Sequence, residues 1–100
     1  MAELQKPNIL FIQADQMTAF ALGQYGNPLV KTPNIDRLAE RGVVFENAYC
    51  NNPICASSRF SMLSGRLSSK IGAYDNAAEF PASIPTFAHY LGNLGYRTCL

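Results

Sequence analysis

The chain has 100 residues, of which 48% are hydrophobic and 15% are charged, and its formal net charge is +1. This composition excludes disordered, collagen-like and strongly charged chains and is typical of a single globular domain. A near-neutral chain gives no reason to expect a nucleic-acid or anionic-membrane partner. The longest apolar run, residues 9–12, is too short to span a bilayer, and the first residues lack a secretory signal. We therefore expect a cytoplasmic protein.

Strand-like and helix-like segments alternate along the first half of the chain. A nearly continuous apolar run predicts a strand buried on both faces over residues 8–13. Thr32 followed by Pro33 predicts a helix start, an apolar stripe continues it to Arg41, and Gly42 ends it. A second strand is predicted over residues 43–49.

The second half of the chain continues this alternation. Ser57 or Ser58 is the expected cap of a helix that ends at Gly65, and the stretch 66–82 is predicted to be irregular. A last helix is expected from Ser83 to Gly95, followed by a strand over residues 96–100. This order predicts an α/β fold with a parallel sheet flanked by helices. Sites in such sheets lie beyond the carboxyl ends of the strands.

Asp15 follows the first predicted strand, and the segment around Cys55 follows the second. The Asp15 carboxylate suits a hard cation such as Mg²⁺ or Ca²⁺, although the residue alone favours an aspartate that caps the segment 16–22. Cys55 lies where a loop enters a helix, and a helix N-terminus together with Arg59 stabilises a negative sulfur or oxygen. An inert buried thiol and a zinc pair with Cys50 are the alternatives.

The remaining cysteines and the single histidine are expected to have no catalytic role. Three cysteines are an odd number, which argues against a disulfide framework, and Cys50 and Cys99 are expected to be buried thiols at strand ends. His89 is predicted on the solvent face of the last helix. A Ser–His–Asp or Cys–His site would need this histidine, so neither is expected.

Several short motifs follow one another in a specific order, at residues 6–10, 14–15, 31–39, 42–45, 47–50, 55–59 and 64–65. In this order they resemble the N-terminal part of the type I sulfatases of the alkaline phosphatase superfamily. Residues 72–80 and 83–91 look most like the choline sulfatases within that family. The resemblance implies an alkaline phosphatase-like α/β fold, with a mixed sheet in the complete protein. Residues 1–100 would then be the N-terminal part of a sulfatase catalytic domain, inactive alone.

The resemblance also implies a chemistry. Cys55 would be oxidised by a maturation enzyme to formylglycine, whose hydrate is a geminal diol. One diol oxygen, bound to a divalent metal (Ca²⁺, Mg²⁺ or Mn²⁺), would attack the sulfur of choline sulfate and displace choline. The other oxygen would then lose its proton, so that the aldehyde reforms and sulfate leaves. A metal and an arginine together lower the cost of forming the attacking alkoxide near neutral pH.

Carried over position by position, the resemblance assigns four site residues, and at a fifth position, Gln16, the chain departs from the family. Asp15 would be a metal ligand, Cys55 the formylglycine precursor and a further ligand, and Arg59 the residue that stabilises the diol oxygens. Asn76 would contact the sulfate, and Gln16 stands where many sulfatases have a second aspartate. A further departure bears on maturation, because Ser57 occupies the third position of the usual C-x-P/A-x-R element.

Two other functions remain open at this stage. The same kind of site serves phosphorus, so a phosphonate or phosphate monoester hydrolase of the same superfamily is an alternative. A non-catalytic, truncated α/β domain that only binds or assembles is the other. The complete protein could also form a homo-oligomer.

Overall fold

The computed structural model describes residues 6–99, which form four α-helices and two short 3₁₀ helices. In chain order the α-helices are α1 (Pro33–Arg41), α2 (Cys55–Ser64), α3 (Ser68–Ile71) and α4 (Phe87–Asn93); the 3₁₀ helices are Ala19–Ala21 and Gly23–Tyr25. The backbone divides into two compact units, Met1–Glu46 and Asn47–Leu100. Within residues 6–99 no helix is long and apolar enough to cross a membrane.

In the first unit, α1 has the bounds that the sequence predicts. The Thr32 hydroxyl donates to Asp36 Oδ1 at 3.0 Å, and the Asp36 backbone N–H donates to the Thr32 carbonyl at 2.8 Å. A carboxylate in the first helical turn also interacts favourably with the helix dipole. Gln24 Nε2 donates to the same Asp36 oxygen at 3.4 Å, so this carboxylate joins the preceding 3₁₀ helix to α1.

In the second unit, a small apolar core packs against α2. Ile71, Ala73 and Ile84 are buried, and three partly buried side chains pack against them: Phe60, Ala78 and Phe80. The Phe60 and Phe80 rings lie 5.0 Å apart between centroids at 59°, a tilted arrangement that aromatic pairs favour. Through Phe60, this core attaches α2 to the segments that follow it.

Two helix starts differ from the sequence prediction, and one helix was not predicted. α2 begins at Cys55 rather than at Ser57 or Ser58, because side chains outside the helix cap its first turn. α3 forms inside the stretch that was predicted to be irregular. α4 begins at Phe87 rather than at Ser83, since the Thr86 backbone N–H donates to His89 Nδ1 at 3.1 Å and fixes the helix start there. The exposed His89 side chain therefore helps to cap α4.

The three predicted strands are not found between residues 6 and 99. A parallel strand needs a neighbouring strand for its backbone and cover over both faces. The runs 8–13 and 43–49 have neither here, and Leu10 is 84% exposed and Val43 78% exposed. The predicted sheet is thus unconfirmed, and Leu100, at the end of the third predicted strand, lies outside the described residues.

The expectation that two cysteines are buried at strand ends is wrong. Cys50 and Cys99 are both exposed. The physical reason is the one that leaves the apolar runs exposed: the segments that end at these residues are not covered by a sheet.

Candidate active site

Cys55 is the first residue of α2, and its thiol is exposed and unbridged. The alternative of an inert buried thiol is therefore wrong. The zinc alternative gains no support, since residues 6–99 contain no group of three or more His, Cys, Asp or Glu side chains that could hold a metal. An exposed thiol at a helix start is accessible both to a modifying enzyme and to a substrate.

The first turn of α2 is capped by two asparagines from outside the helix. Its N-cap residue, Ile54, has no side-chain acceptor for the backbone N–H groups that every helix start leaves without partners. Asn52 Oδ1 instead accepts from the Ile54 backbone N–H at 2.9 Å, and Asn76 Oδ1 accepts from the Ala56 backbone N–H at 3.0 Å. These two contacts flank Cys55 in the chain and hold its backbone from both sides.

Asn76, the residue that the resemblance places on the sulfate, lies at this helix start. Its Oδ1 accepts from the Ala56 backbone N–H, which identifies the other end of this exposed side-chain amide as the Nδ2 donor. The loop that carries it is held by Asp75, whose Oδ1 accepts from the Ala77 backbone N–H at 2.9 Å. The structure therefore brings an N–H donor to the residue that follows Cys55.

Arg59 is exposed and follows Cys55 by four residues in α2. Residues four apart lie on the same face of an α-helix, one turn from each other. The guanidinium and the N-terminal end of the helix dipole both favour a negative charge near Cys55. Cys55 and Asn76 thus lie at the first turn of α2, and Arg59 follows one turn later on the same helix face.

Asp15 and Gln16 occupy an exposed turn in the other unit. Gln16 has a positive φ of 45°, which is uncommon for a residue with a side chain. Carboxylate and amide oxygens are ligands that Ca²⁺ and Mg²⁺ accept, but both ions take about six or more. With no larger cluster among residues 6–99, these two side chains do not make a metal site on their own.

Sequence reasoning missed the contacts of Asn52 and the burial of Ser57. Asn52 bridges the loop before α2, and the Asn52-Pro53 dipeptide, which favours turn initiation, is the signal that could have shown it. Ser57 is fully buried, and its Oγ has no hydrogen-bond partner within the described part of the chain. No sequence signal marks a serine as buried.

The matching family model and three similar proteins all carry the name sulfatase. The family model described as Sulfatase matches residues 7–100. A choline-sulfatase of Rhizobium meliloti (strain 1021) is 43% identical over 95 residues, which are 95% of this chain and 19% of that protein. An N-acetylglucosamine-6-O-sulfatase of Bacteroides thetaiotaomicron is 39% identical over 98 residues, 98% of this chain and 18% of that protein.

A mammalian protein shares the similarity. The N-acetylgalactosamine-6-sulfatase of Homo sapiens is 46% identical over 74 residues, 74% of this chain and 14% of that protein. The chain therefore spans a fifth or less of the length of these curated relatives. No solved structure matches the chain significantly.

Proposed function

Because the chain belongs to the sulfatase family, we propose that it is the N-terminal part of a catalytic domain that hydrolyses a sulfate ester. The observation that carries this proposal is the exposed Cys55 thiol at the first residue of α2. Arg59 on the same helix face and Asn76 at the same helix turn support it. The family implies an alkaline phosphatase-like fold, and we propose residues 8–13, 43–49 and 96–100 as strands of its sheet.

Cys55 is the proposed precursor of formylglycine, whose hydrate would supply the hydroxyl oxygen that attacks the ester sulfur. The chain's own residues stabilise charge around that position. The Arg59 guanidinium offers several N–H donors to the negative oxygens, and such donors act where charge develops in the transition state. Asn76 Nδ2 donates to a sulfate oxygen while its Oδ1 keeps the Ala56 backbone in place.

Asp15 is the proposed carboxylate that this chain contributes to a divalent cation, Ca²⁺, Mg²⁺ or Mn²⁺. Gln16 beside it offers a neutral carbonyl oxygen where many sulfatases have a second aspartate. Oxygen donors of these two kinds suit hard cations. A formylglycine-generating enzyme is the maturation partner that this assignment implies, and the proposed compartment is the cytoplasm.

Choline sulfate is the proposed substrate. The similarity of residues 72–80 and 83–91 to the choline sulfatases supports it, as does the Rhizobium meliloti relative, which is named a choline-sulfatase. Other relatives are named for sulfates of N-acetylated hexosamines and show comparable identity. A substrate panel therefore has to separate the choline ester from the sugar esters.

The test begins with the full-length protein that carries this chain, expressed in its native host. Peptide mass spectrometry is expected to find the Cys55 thiol replaced by an aldehyde and the exposed Cys50 thiol unchanged. Turnover is then measured with choline sulfate, an N-acetylhexosamine 6-sulfate and a phosphonate monoester. Cys55→Ala is expected to abolish turnover, whereas Cys50→Ala, at a cysteine that is also exposed, keeps it.

Each contrary outcome identifies one of the alternatives. Faster turnover of the phosphonate monoester would assign the protein to phosphonate or phosphate monoester hydrolysis. Preference for the sugar sulfate would retain a sulfatase and reject the choline ester. An unmodified Cys55 thiol, together with no turnover of any ester, would favour a non-catalytic domain.

A further inference from the structure

We propose that Asn52 is a positioning residue that fixes the backbone of Cys55 relative to the core of the second unit. This inference rests on the proposed function, since it concerns the residue that is proposed to become the nucleophile. Asn52 lies outside α2 and uses both ends of its side-chain amide on groups of the protein.

The contacts of Asn52 connect the loop before α2 to the core. Its Oδ1 accepts from the Ile54 backbone N–H at 2.9 Å, and its Nδ2 donates to Ser68 Oγ at 3.1 Å. Ser68 is buried and is the first residue of α3. The same short helix ends at Ile71, one of the three buried residues of the core. Two consecutive hydrogen bonds therefore join the residue before Cys55 to α3, the helix that carries the core residue Ile71.

Asparagine suits this position for chemical reasons. A short side chain with an acceptor can bond the backbone N–H two residues later, and the amide also carries donors for a second group. Pro53 lies between Asn52 and Ile54 and has a fixed φ. Because proline has no backbone N–H, the middle residue of this turn has no donor that needs a partner. Alanine would supply neither contact, whereas aspartate would keep the acceptor for Ile54 and could accept from the Ser68 hydroxyl.

The position of the Cys55 backbone matters because its side chain is exposed and is not held by packing. A misplacement of a reacting group by about 1 Å can cost about a hundredfold in rate. We expect Asn52→Ala to lower kcat about tenfold or more. KM should stay within about twofold, because both ends of the Asn52 amide are bound to protein groups and not to substrate.

The experiment uses the full-length protein, with kcat expressed per formylglycine counted by peptide mass spectrometry. This normalisation separates positioning from any change in maturation. Asn52→Asp is expected to keep kcat within about threefold of the protein without substitutions, because the carboxylate accepts from the Ile54 N–H and from the Ser68 hydroxyl. Asn51→Ala, at an exposed neighbouring asparagine, is the matched control and should leave kcat and KM unchanged. Asn52→Ala combined with Ser68→Ala should be no slower than Asn52→Ala alone, since the two residues act through one hydrogen bond.

A second measurement does not depend on activity. Hydrogen–deuterium exchange is followed on the peptide that spans residues 52–58, and Asn52→Ala should exchange faster there than Asn51→Ala. Normal kcat per formylglycine in Asn52→Ala, or exchange equal to that of the control, would overturn the inference. Failure of the proposed function is distinguishable from failure of this inference, since the protein without substitutions would then turn over no sulfate ester. In that case the exchange data alone would decide the role of Asn52.

Discussion

Replacing Ser57 by alanine should stabilise the protein. Ser57 is the third residue of α2 and is fully buried, and its Oγ finds no hydrogen-bond partner among residues 6–99. A hydroxyl buried in this way loses its bonds to water and gains none in return, at a cost of about 1–3 kcal/mol. Alanine keeps the Cβ atom and removes only the oxygen.

The net change follows from three terms. Removing the unpartnered hydroxyl gains about 1–3 kcal/mol, and alanine adds about 0.5 kcal/mol through its higher helix propensity. The oxygen leaves a small void, which costs no more than the burial of one methylene, about 0.8 kcal/mol. We expect Ser57→Ala to raise the free energy of unfolding by about 1 kcal/mol or more. Ser61→Ala should act in the same direction, since Ser61 is also buried with an unpartnered Oγ in the described structure.

Ser64 is the matched control on the same helix. Its Oγ donates to the Phe60 carbonyl at 2.6 Å and accepts from the Arg66 backbone N–H at 3.2 Å, so Ser64→Ala loses two real bonds. Both substitutions replace serine by alanine in the same helix and gain helix propensity. The difference between their free energies of unfolding therefore reports mainly on the hydrogen bonds of the two serines. Urea midpoints at unchanged slope measure this difference. A Ser57→Ala midpoint as low as that of Ser64→Ala would refute the reasoning.

The same samples report on maturation. Ser57→Ala places alanine at the third position of the C-x-P/A-x-R element, so the fraction of Cys55 converted to formylglycine should rise. Peptide mass spectrometry measures that fraction independently of stability. A lower converted fraction in Ser57→Ala would contradict the role given to this position.

Three further changes test the site. Arg59→Ala should lower turnover about a hundredfold, the loss expected when one donor to a developing negative charge is removed. Lys70→Ala on α3, the control at another cationic residue, should leave turnover unchanged. Near-normal turnover of Arg59→Ala would remove Arg59 from the mechanism. Asn76→Asp keeps the acceptor for the Ala56 N–H but replaces the Nδ2 donor by a negative charge, so KM should rise without loss of thermal stability. Asn76→Ala removes both the donor and the acceptor, so KM should rise and the free energy of unfolding should fall by about 1 kcal/mol. Gln16→Gly should raise the unfolding midpoint by relieving about 1 kcal/mol of strain at φ 45°, and a lower midpoint would show that the Gln16 side chain makes contacts worth more than this strain.

The helix boundaries show which structural signals are local. The start and end of α1 could be predicted because Thr32, Pro33 and Gly42 act within one turn of the helix. The end of α2 at Gly65 could be predicted for the same reason, and its φ of 69° is the left-handed conformation that glycine favours. The start of α2 could not, since one of its caps comes from Asn76, which is 20 residues beyond Ala56 in the chain.

The candidate site divides in the same way. Cys55 and Arg59 could be recognised from a helix start and a four-residue spacing, and Asn76 only from a family resemblance. The burial of Ser57 was not predicted because burial is inferred from apolar periodicity, and here a serine faces the interior. Asn52 escaped because its importance depends on Ser68, which sits in a stretch without any sustained period.

The described contacts around Cys55 join residues that are at most 20 apart in the chain. The Asn52, Ser68 and Asn76 side chains and the Ile54 and Ala56 backbone N–H groups make them. A parallel sheet, in contrast, needs pairings between segments that are far apart, and the runs 8–13 and 43–49 lack such partners among residues 6–99. The geometry around Cys55 can therefore form without the sheet, which is why substitutions at Asn52 and Asn76 should act on this helix start directly.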